Sequence, residues 1–131
     1  QALLHTVPEL NIGEGPEQHK ARQLALFSQL PVFAKKLFSM CTEEVLEHLQ
    51  QLQGKPTDVV LFGIEAHVCV TQTCLDLLER GYGVHIVCDG VSSQKPYDRT
   101  VALHRMQQAG AFLSTAEQVA FQLTVSAEHP K

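Results

Sequence analysis

The stretch DVVLFGIEAHVCV, residues 58–70, decides the fold, because an apolar run leads there into a turn and then into a helix. Residues 58–64 are a continuous apolar run of strand length, which is typical of a strand buried on both faces of a parallel sheet. A helix is predicted over 68–80, where Gly81 ends it. The sequence therefore predicts a strand–turn–helix unit, as in a βαβ crossover.

The flanking segments repeat this alternation of strands and helices. Before the central unit, the sequence predicts a helix over 17–30, a short strand over 32–38 and a helix from Thr42 to Gly54. After it, the sequence predicts a strand over 83–88, a helix over 96–109, a strand over 111–113 and a last helix that a Ser114–Glu117 capping box begins. This order predicts an α/β fold whose parallel sheet is covered by helices on both faces.

Length and composition exclude several classes of protein. The chain has 131 residues, of which 44% are hydrophobic and 18% charged, and this is typical of one globular domain. The net charge is -4 and no stretch concentrates Lys or Arg, so we expect no nucleic-acid partner. No apolar run reaches about 18 residues, so we expect no membrane span.

The cysteines and histidines predict neither a metal nor another cofactor. The four cysteines include no CxxC pair, and no two of the seven histidines have the i,i+4 spacing of a helical metal site. No secretory signal is visible in residues 1–10, so we interpret the cysteines as reduced thiols of a cytoplasmic protein.

Chemistry is expected at the carboxyl ends of the predicted strands, where open parallel sheets bind ligands. Cys69 lies there at a predicted helix start, where free N–H groups and the helix dipole favour a thiolate and can hold an oxyanion. The alternative is a small buried hydrophobic residue. His67 is a candidate base, Lys35 is either a thiolate partner or a surface lysine, and Asp89 either caps a turn or lines the site.

Several separated motifs resemble one family. They are GIEAHVCV at 63–70 with Gln72 and Thr73, VCDGVSS at 87–93 and GAFLSTAE at 110–117. Together they are similar to the signature of the isochorismatase-like cysteine hydrolases, and the resemblance covers residues 1–10 and roughly 31–131. It implies a Rossmann-like αβα sandwich with three layers and a parallel sheet, and hydrolysis of a small amide or related C–N substrate by a homo-oligomer without a cofactor.

The resemblance also implies roles for individual residues. The family uses an Asp–Lys–Cys triad, in which Cys69 matches the nucleophile and Lys35 the lysine. The oxyanion hole would use the backbone amides of Glu65 and Cys69, and a non-proline cis peptide bond would fall between Ile64 and Glu65. Nicotinamidases carry Thr-Asp where this chain has Ala66-His67, and isochorismatases carry Gly where it has Cys69, so no substrate transfers directly.

One part of the family pattern is missing. The triad aspartate lies in the family on the first strand, which has no counterpart here, and none of the candidates matches it: Asp58, Asp76, Asp89 and Asp98. We therefore expect residues 1–131 to form an isochorismatase-like domain that lacks its N-terminal strands and whose hydrolase activity is impaired. The strand at 58–64 would then expose an apolar edge. The alternatives are a catalytically silent interaction module and a redox-responsive thiol protein.

Overall fold

The computed structural model describes residues 30–126, and it divides the chain into two units, Gln1–Ala34 and Lys35–Lys131. Within the described range, every helix and strand lies in the second unit. In chain order they are α1 (Glu43–Gln51), β1 (Asp58–Gly63), a π-helical turn (Ala66–Val70), α2 (Thr71–Glu79), β2 (Gly83–Val91), α3 (Pro96–Gln108), β3 (Phe112–Ser114) and α4 (Ala116–Thr124). The helix predicted over 17–30 falls almost entirely outside the described residues.

The three strands form one parallel sheet in the order β1-β2-β3. β1 aligns with β2 from the Asp58–Gly83 pair onward, and the register shifts between Leu61 and Gly63. Helices connect the parallel strands, as such strands require. The predicted α/β class with a parallel sheet flanked by helices is confirmed. No helix between residues 30 and 126 has both the length and the apolarity needed to cross a membrane.

The core lies between one face of this sheet and the helices α2 and α3. Val84 and Ile86 of β2 are fully buried there, together with Cys74 of α2 and Met106 of α3. Alternate residues of a strand point to opposite faces, so the apolar run of β2 supplies this face at every second position. Packing against the sheet is what holds these short helices in place.

The opposite face of the sheet and the β1 side are more open. Val60, His85 and Phe112 form one row across the three strands, with Val60 40% and Phe112 58% exposed. The rings of His85 and Phe112 stack with centroids 5.0 Å apart. β1 is the end strand of the sheet in the described part of the chain, and Phe62 is 73% exposed. An exposed apolar strand is therefore present where the sequence led us to expect one.

The strand predicted over 32–38 is absent, and this prediction was wrong. Residues 31–35 have no regular structure, and a series of bends follows at 36–40. The Lys35 ammonium donates to the carbonyl oxygens of Leu37 (2.9 Å) and Phe38 (2.7 Å), which turns the chain back on itself. A side chain that binds carbonyls two and three residues ahead is incompatible with an extended strand, where that spacing spans about 7–10 Å.

The ends of two helices test the predicted caps. The Thr42 hydroxyl accepts a hydrogen bond from the Val45 amide (3.4 Å) at the start of α1, as predicted. The capping box predicted at Ser114 lies one residue too early, because the Thr115 hydroxyl accepts from the Gln118 amide (3.2 Å) and begins α4. Ser114 is buried as the last residue of β3, where it pairs with Val87 of β2.

We expect the substitution Met106→Ala to lower the free energy of unfolding by about 2–5 kcal/mol, because it leaves a cavity in the core. Val101 lies on the same helix but is 49% exposed, so Val101→Ala is the matched control and should change stability by less than about 0.5 kcal/mol. Urea unfolding followed by circular dichroism measures both. Equal effects of the two substitutions would contradict the described core.

Candidate functional site

The turns that follow β1 and β2 are hydrogen-bonded to each other at the carboxyl end of the sheet. The Ala66 amide donates to the carbonyl of Ser92 (2.7 Å), and the Ser92 amide donates to the carbonyl of Gly63 (3.2 Å). Ala66 is fully buried at this junction. The expectation that these two turns form one edge of the sheet is therefore met, and this edge is where open α/β sheets place ligands.

The turn after β1 reverses direction at a single residue. Glu65 has φ 57° and ψ 62°, in the left-handed region that non-glycine residues rarely adopt. All peptide bonds in residues 30–126 are trans, so the cis bond expected between Ile64 and Glu65 is not found. The left-handed backbone of Glu65 makes the sharp turn instead. Such strain is typical of functional sites, where the surrounding structure maintains it.

The residues that follow form a π-helical turn rather than the expected start of an α-helix. The wide turn Ala66–Val70 closes through the Val70 amide, which donates to the carbonyl of Glu65 (3.5 Å), and α2 begins at Thr71. The Thr71 hydroxyl donates to the carbonyl of Ala66 (2.7 Å). Single π turns occur frequently at functional sites. Cys69 thus lies in the π turn, two residues before α2 begins.

The Cys69 side chain is a free and partly exposed thiol. Its backbone carbonyl accepts a hydrogen bond from the Thr73 hydroxyl (2.7 Å). Within residues 30–126, no carboxylate is hydrogen-bonded to the Cys69 sulfur. The described part of the site therefore presents a partly exposed thiol that is not hydrogen-bonded to an acidic residue.

Lys35 does not contact Cys69 in this structure. Its ammonium group donates to the carbonyl oxygens of Leu37 and Phe38, so the local bend holds it. The next residues do reach the Cys69 region, because the Met40 amide donates to the Thr73 hydroxyl (2.9 Å). The family resemblance assigns Lys35 and Cys69 to one site, and here their segments are connected through the Thr73 hydroxyl rather than by a hydrogen bond between the two side chains.

His67 lies in a polar cluster at the same edge of the sheet. Its Nδ1 atom is 3.0 Å from the Ser93 hydroxyl and 3.4 Å from a Glu65 carboxylate oxygen, and its Nε2 atom is 4.0 Å from a carboxylate oxygen of Asp98. Sequence reasoning named His67 but missed these neighbours. Ser93 and Asp98 lie 26 and 31 positions further along the chain, and only the parallel crossover brings them to the turn after β1.

Asp89 lies within β2 and caps a distant helix, which differs from the predicted cap of the turn directly after it. Its carboxylate accepts a hydrogen bond from the Ala116 amide (2.8 Å), the first residue of α4. A carboxylate at a helix start satisfies a free amide and interacts favourably with the helix dipole. The helix it caps begins 27 residues later in the chain, so no local pattern indicated the partner.

Burial affects two of the other thiols in the described residues, Cys74 and Cys41. Burial raises the pKa of the Cys74 thiol from 9.0 to about 11. Burial also raises the pKa of Cys41, against the opposing effect of its hydrogen bond with Ser39. The described residues contain no group of three or more His, Cys, Asp or Glu side chains arranged to hold a metal ion.

The comparison with protein families identifies the class. The model of the Isochorismatase domain matches residues 8–118, so the chain belongs to the isochorismatase family. It is 52% identical over 102 residues to isochorismatase family protein 1A of Dictyostelium discoideum, which covers 78% of this chain and 50% of that protein. It is 49% identical over 102 residues to isochorismatase domain-containing protein 2 of Xenopus laevis, and the match covers 78% of this chain and 49% of that protein.

Solved structures show the same relationship. The MAR1 ribonuclease of Caenorhabditis elegans superposes with a TM-score of 0.73 at 48% identity, covering 79% of this chain and 52% of that one. YcaC of Pseudomonas aeruginosa, solved with hexane-2,5-diol and covalent acrylamide, superposes with a TM-score of 0.69 at 26% identity, covering 80% and 52%. The chain thus spans about half the length of the relatives that it matches.

We expect the free energy of unfolding to fall as the pH rises from about 9 to about 11, because the buried Cys74 thiol stays protonated while the same thiol in the unfolded chain ionises. The folded state then binds more protons than the unfolded state, so rising pH favours unfolding. Urea midpoints measured at intervals from pH 8 to pH 11 test this. In the Cys74→Ala variant the free energy of unfolding should fall less over this pH range. An identical pH dependence in the variant and the parent would refute the raised pKa of Cys74.

Proposed function

We propose that this chain carries the nucleophile of a cysteine hydrolase that acts on a small amide or a related substrate with a C–N bond. One observation carries the proposal: a partly exposed Cys69 thiol lies in a π turn at the carboxyl end of a parallel sheet, in a chain of the isochorismatase family. Free backbone amides at the start of a helix stabilise a thiolate, which is the reactive form.

The proposed reaction has two steps. The Cys69 thiolate attacks the carbonyl carbon, the C–N bond breaks, and the nitrogen leaves as ammonia or an amine after it takes up a proton. Water then hydrolyses the thioester, which releases a carboxylic acid and restores the thiol. The backbone amides of Glu65 and Cys69 would hold the oxyanion of both tetrahedral intermediates. Lys35 would stabilise the negative charge, which requires its ammonium to leave the carbonyls of the 37–38 bend.

The group that accepts the thiol proton would come from outside this chain. By family resemblance it is an aspartate, and residues 1–29 and 127–131 contain no aspartate. General-base assistance contributes about 10²–10⁴-fold to a rate, so we propose that the isolated chain hydrolyses its substrate slowly.

The names of two relatives bear on the choice of substrate. The structure of YcaC with covalent acrylamide supports a nucleophile in this fold, since acrylamide is an electrophile that thiolates attack. MAR1 of Caenorhabditis elegans is described as a ribonuclease. We favour a small molecule over RNA for this chain, because its net charge is -4 and the phosphate backbone of RNA requires basic groups.

Two properties of the whole protein belong to the same proposal. A reducing, cytoplasmic location is supported by Cys41, Cys69, Cys74 and Cys88, which are all free thiols. A homo-oligomer is supported by the exposed apolar side chains of Val60, Phe62 and Phe112, and the related YcaC of Escherichia coli is described as an octameric hydrolase. The second candidate function, a catalytically silent interaction module, is favoured by the same exposed side chains and by the missing aspartate.

The first test measures how fast iodoacetamide alkylates Cys69 at pH 7, with mass spectrometry to quantify each cysteine. We expect Cys69 to react at least about tenfold faster than a free cysteine peptide, because only activated thiols are appreciably ionised at this pH. Cys88 is also free and partly exposed, so it is the internal reference. If Cys69 reacts no faster than the free peptide, the assignment of Cys69 as the nucleophile is wrong.

The second test measures ammonia release from a panel of primary amides and ureido acids, with a short RNA as a separate arm. We expect Cys69→Ala to reduce turnover by at least about 10³-fold and Lys35→Met by about 10²-fold, while Cys88→Ala leaves it unchanged. A reactive Cys69 without turnover on any amide would favour the silent module. If RNA is cleaved and the cleavage depends on Cys69, the proposed amide substrate is wrong and the substrate is a nucleic acid.

A further inference from the structure

Thr73 joins two segments of the chain through one buried hydroxyl. It is 4% exposed and lies in the first turn of α2. Its hydroxyl donates to the carbonyl of Cys69 (2.7 Å) and accepts from the amide of Met40 (2.9 Å). A hydroxyl has one proton to donate and two lone pairs to accept, so this arrangement uses it in both directions.

The first hydrogen bond alone is an ordinary feature of helices, where Thr often donates to the carbonyl four residues before it. The second bond is different, because it reaches 33 positions back in the chain. A third contact supports it, since the Cys41 sulfur lies 3.9 Å from the carbonyl oxygen of Thr73. The segment at residues 40–41 therefore contacts both the side-chain hydroxyl and the backbone carbonyl of Thr73.

The attached segment is the one that carries Lys35. The Lys35 ammonium binds the carbonyls of Leu37 and Phe38, and the Ser39 hydroxyl accepts from the Cys41 amide (3.1 Å). Ser39 is buried, so this short bend is held by its own polar contacts. A continuous path of contacts thus runs from Lys35 through the bend and the Thr73 hydroxyl to the backbone of Cys69.

We infer that Thr73 is a positioning residue, whose hydroxyl holds the segment that carries Lys35 at a set distance from Cys69. This inference rests on the proposed function, in which both residues act on one substrate. Orientation of reacting groups is worth large factors in rate, and a misplacement of about 1 Å can cost about 10²-fold. A buried hydroxyl with partners on both segments restricts such movement without touching the substrate.

The test uses the full chain with three variants. Thr73→Val has the same shape without the hydroxyl, and Thr73→Ser keeps the hydroxyl. Thr71→Val is the matched control, because the Thr71 hydroxyl also donates to the π turn, at the carbonyl of Ala66, and not to the Lys35 segment. Circular dichroism confirms that each variant is folded before any other measurement.

The first readout is hydrogen exchange at the Met40 amide, which does not depend on any activity. We expect Thr73→Val to raise its exchange rate by about five- to tenfold, the factor that corresponds to one ordinary hydrogen bond. Thr73→Ser and Thr71→Val should leave it within about twofold of the parent. Unchanged exchange in Thr73→Val would overturn the inference, whatever Cys69 does.

The second readout is a double-mutant cycle on the alkylation rate of Cys69 over pH 6 to 9. We expect Lys35→Met to lower this rate at least about threefold in the parent but not in Thr73→Val, with the effect restored in Thr73→Ser. A purely structural Thr73 would lower the thermal midpoint and leave the effect of Lys35→Met intact, which overturns the inference. A parent Cys69 no faster than a free thiol instead refutes the proposed function, and the positioning role with it.

Discussion

The carboxyl edge of the sheet, where Cys69 lies, depends on the hydrogen bond from the Ala66 amide to the Ser92 carbonyl. It forms at a fully buried residue, where an unpaired amide would cost about 1–3 kcal/mol. To bring Ala66 to that carbonyl within three residues of the end of β1, Glu65 adopts a left-handed backbone. The wide π turn follows directly, so Val70 and Cys74 enter the core while Cys69 keeps an accessible thiol.

The same edge separates residues that hold the backbone from residues that offer reactive groups. Asp89, Thr71 and Thr73 each satisfy a backbone amide or carbonyl across a turn or a helix end. The side chains of Cys69 and His67 are partly exposed, and within residues 30–126 neither is hydrogen-bonded to a backbone group. A rigid frame that carries adaptable reactive groups is the arrangement that catalysis by orientation requires.

The pattern of residues predicted the elements whose apolar spacing or composition is strong. Strands β1 and β2 and the helix ends at Thr42 and Gly81 lie where they were expected, because these elements depend on nearby residues. The burial of β1 on both faces was wrong, because no residue of β1 is buried in the described part of the chain. The strand predicted over 32–38 was wrong, because an apolar run of that length does not reveal that Lys35 binds the carbonyls ahead of it. The cap of α4 lies at Thr115 because Ser114 is used by the sheet.

The sequence by itself determined the fold class and the family, because both depend on local apolar periodicity and on motifs that are continuous in the chain. It also indicated Cys69 as the residue to examine. Only the tertiary structure decided which residues surround that turn: Ser93 and Asp98 beside His67, and Met40 on the Thr73 hydroxyl. These partners lie 26 to 33 positions apart, and their meeting depends on how the parallel crossover and the core pack, which no local pattern encodes.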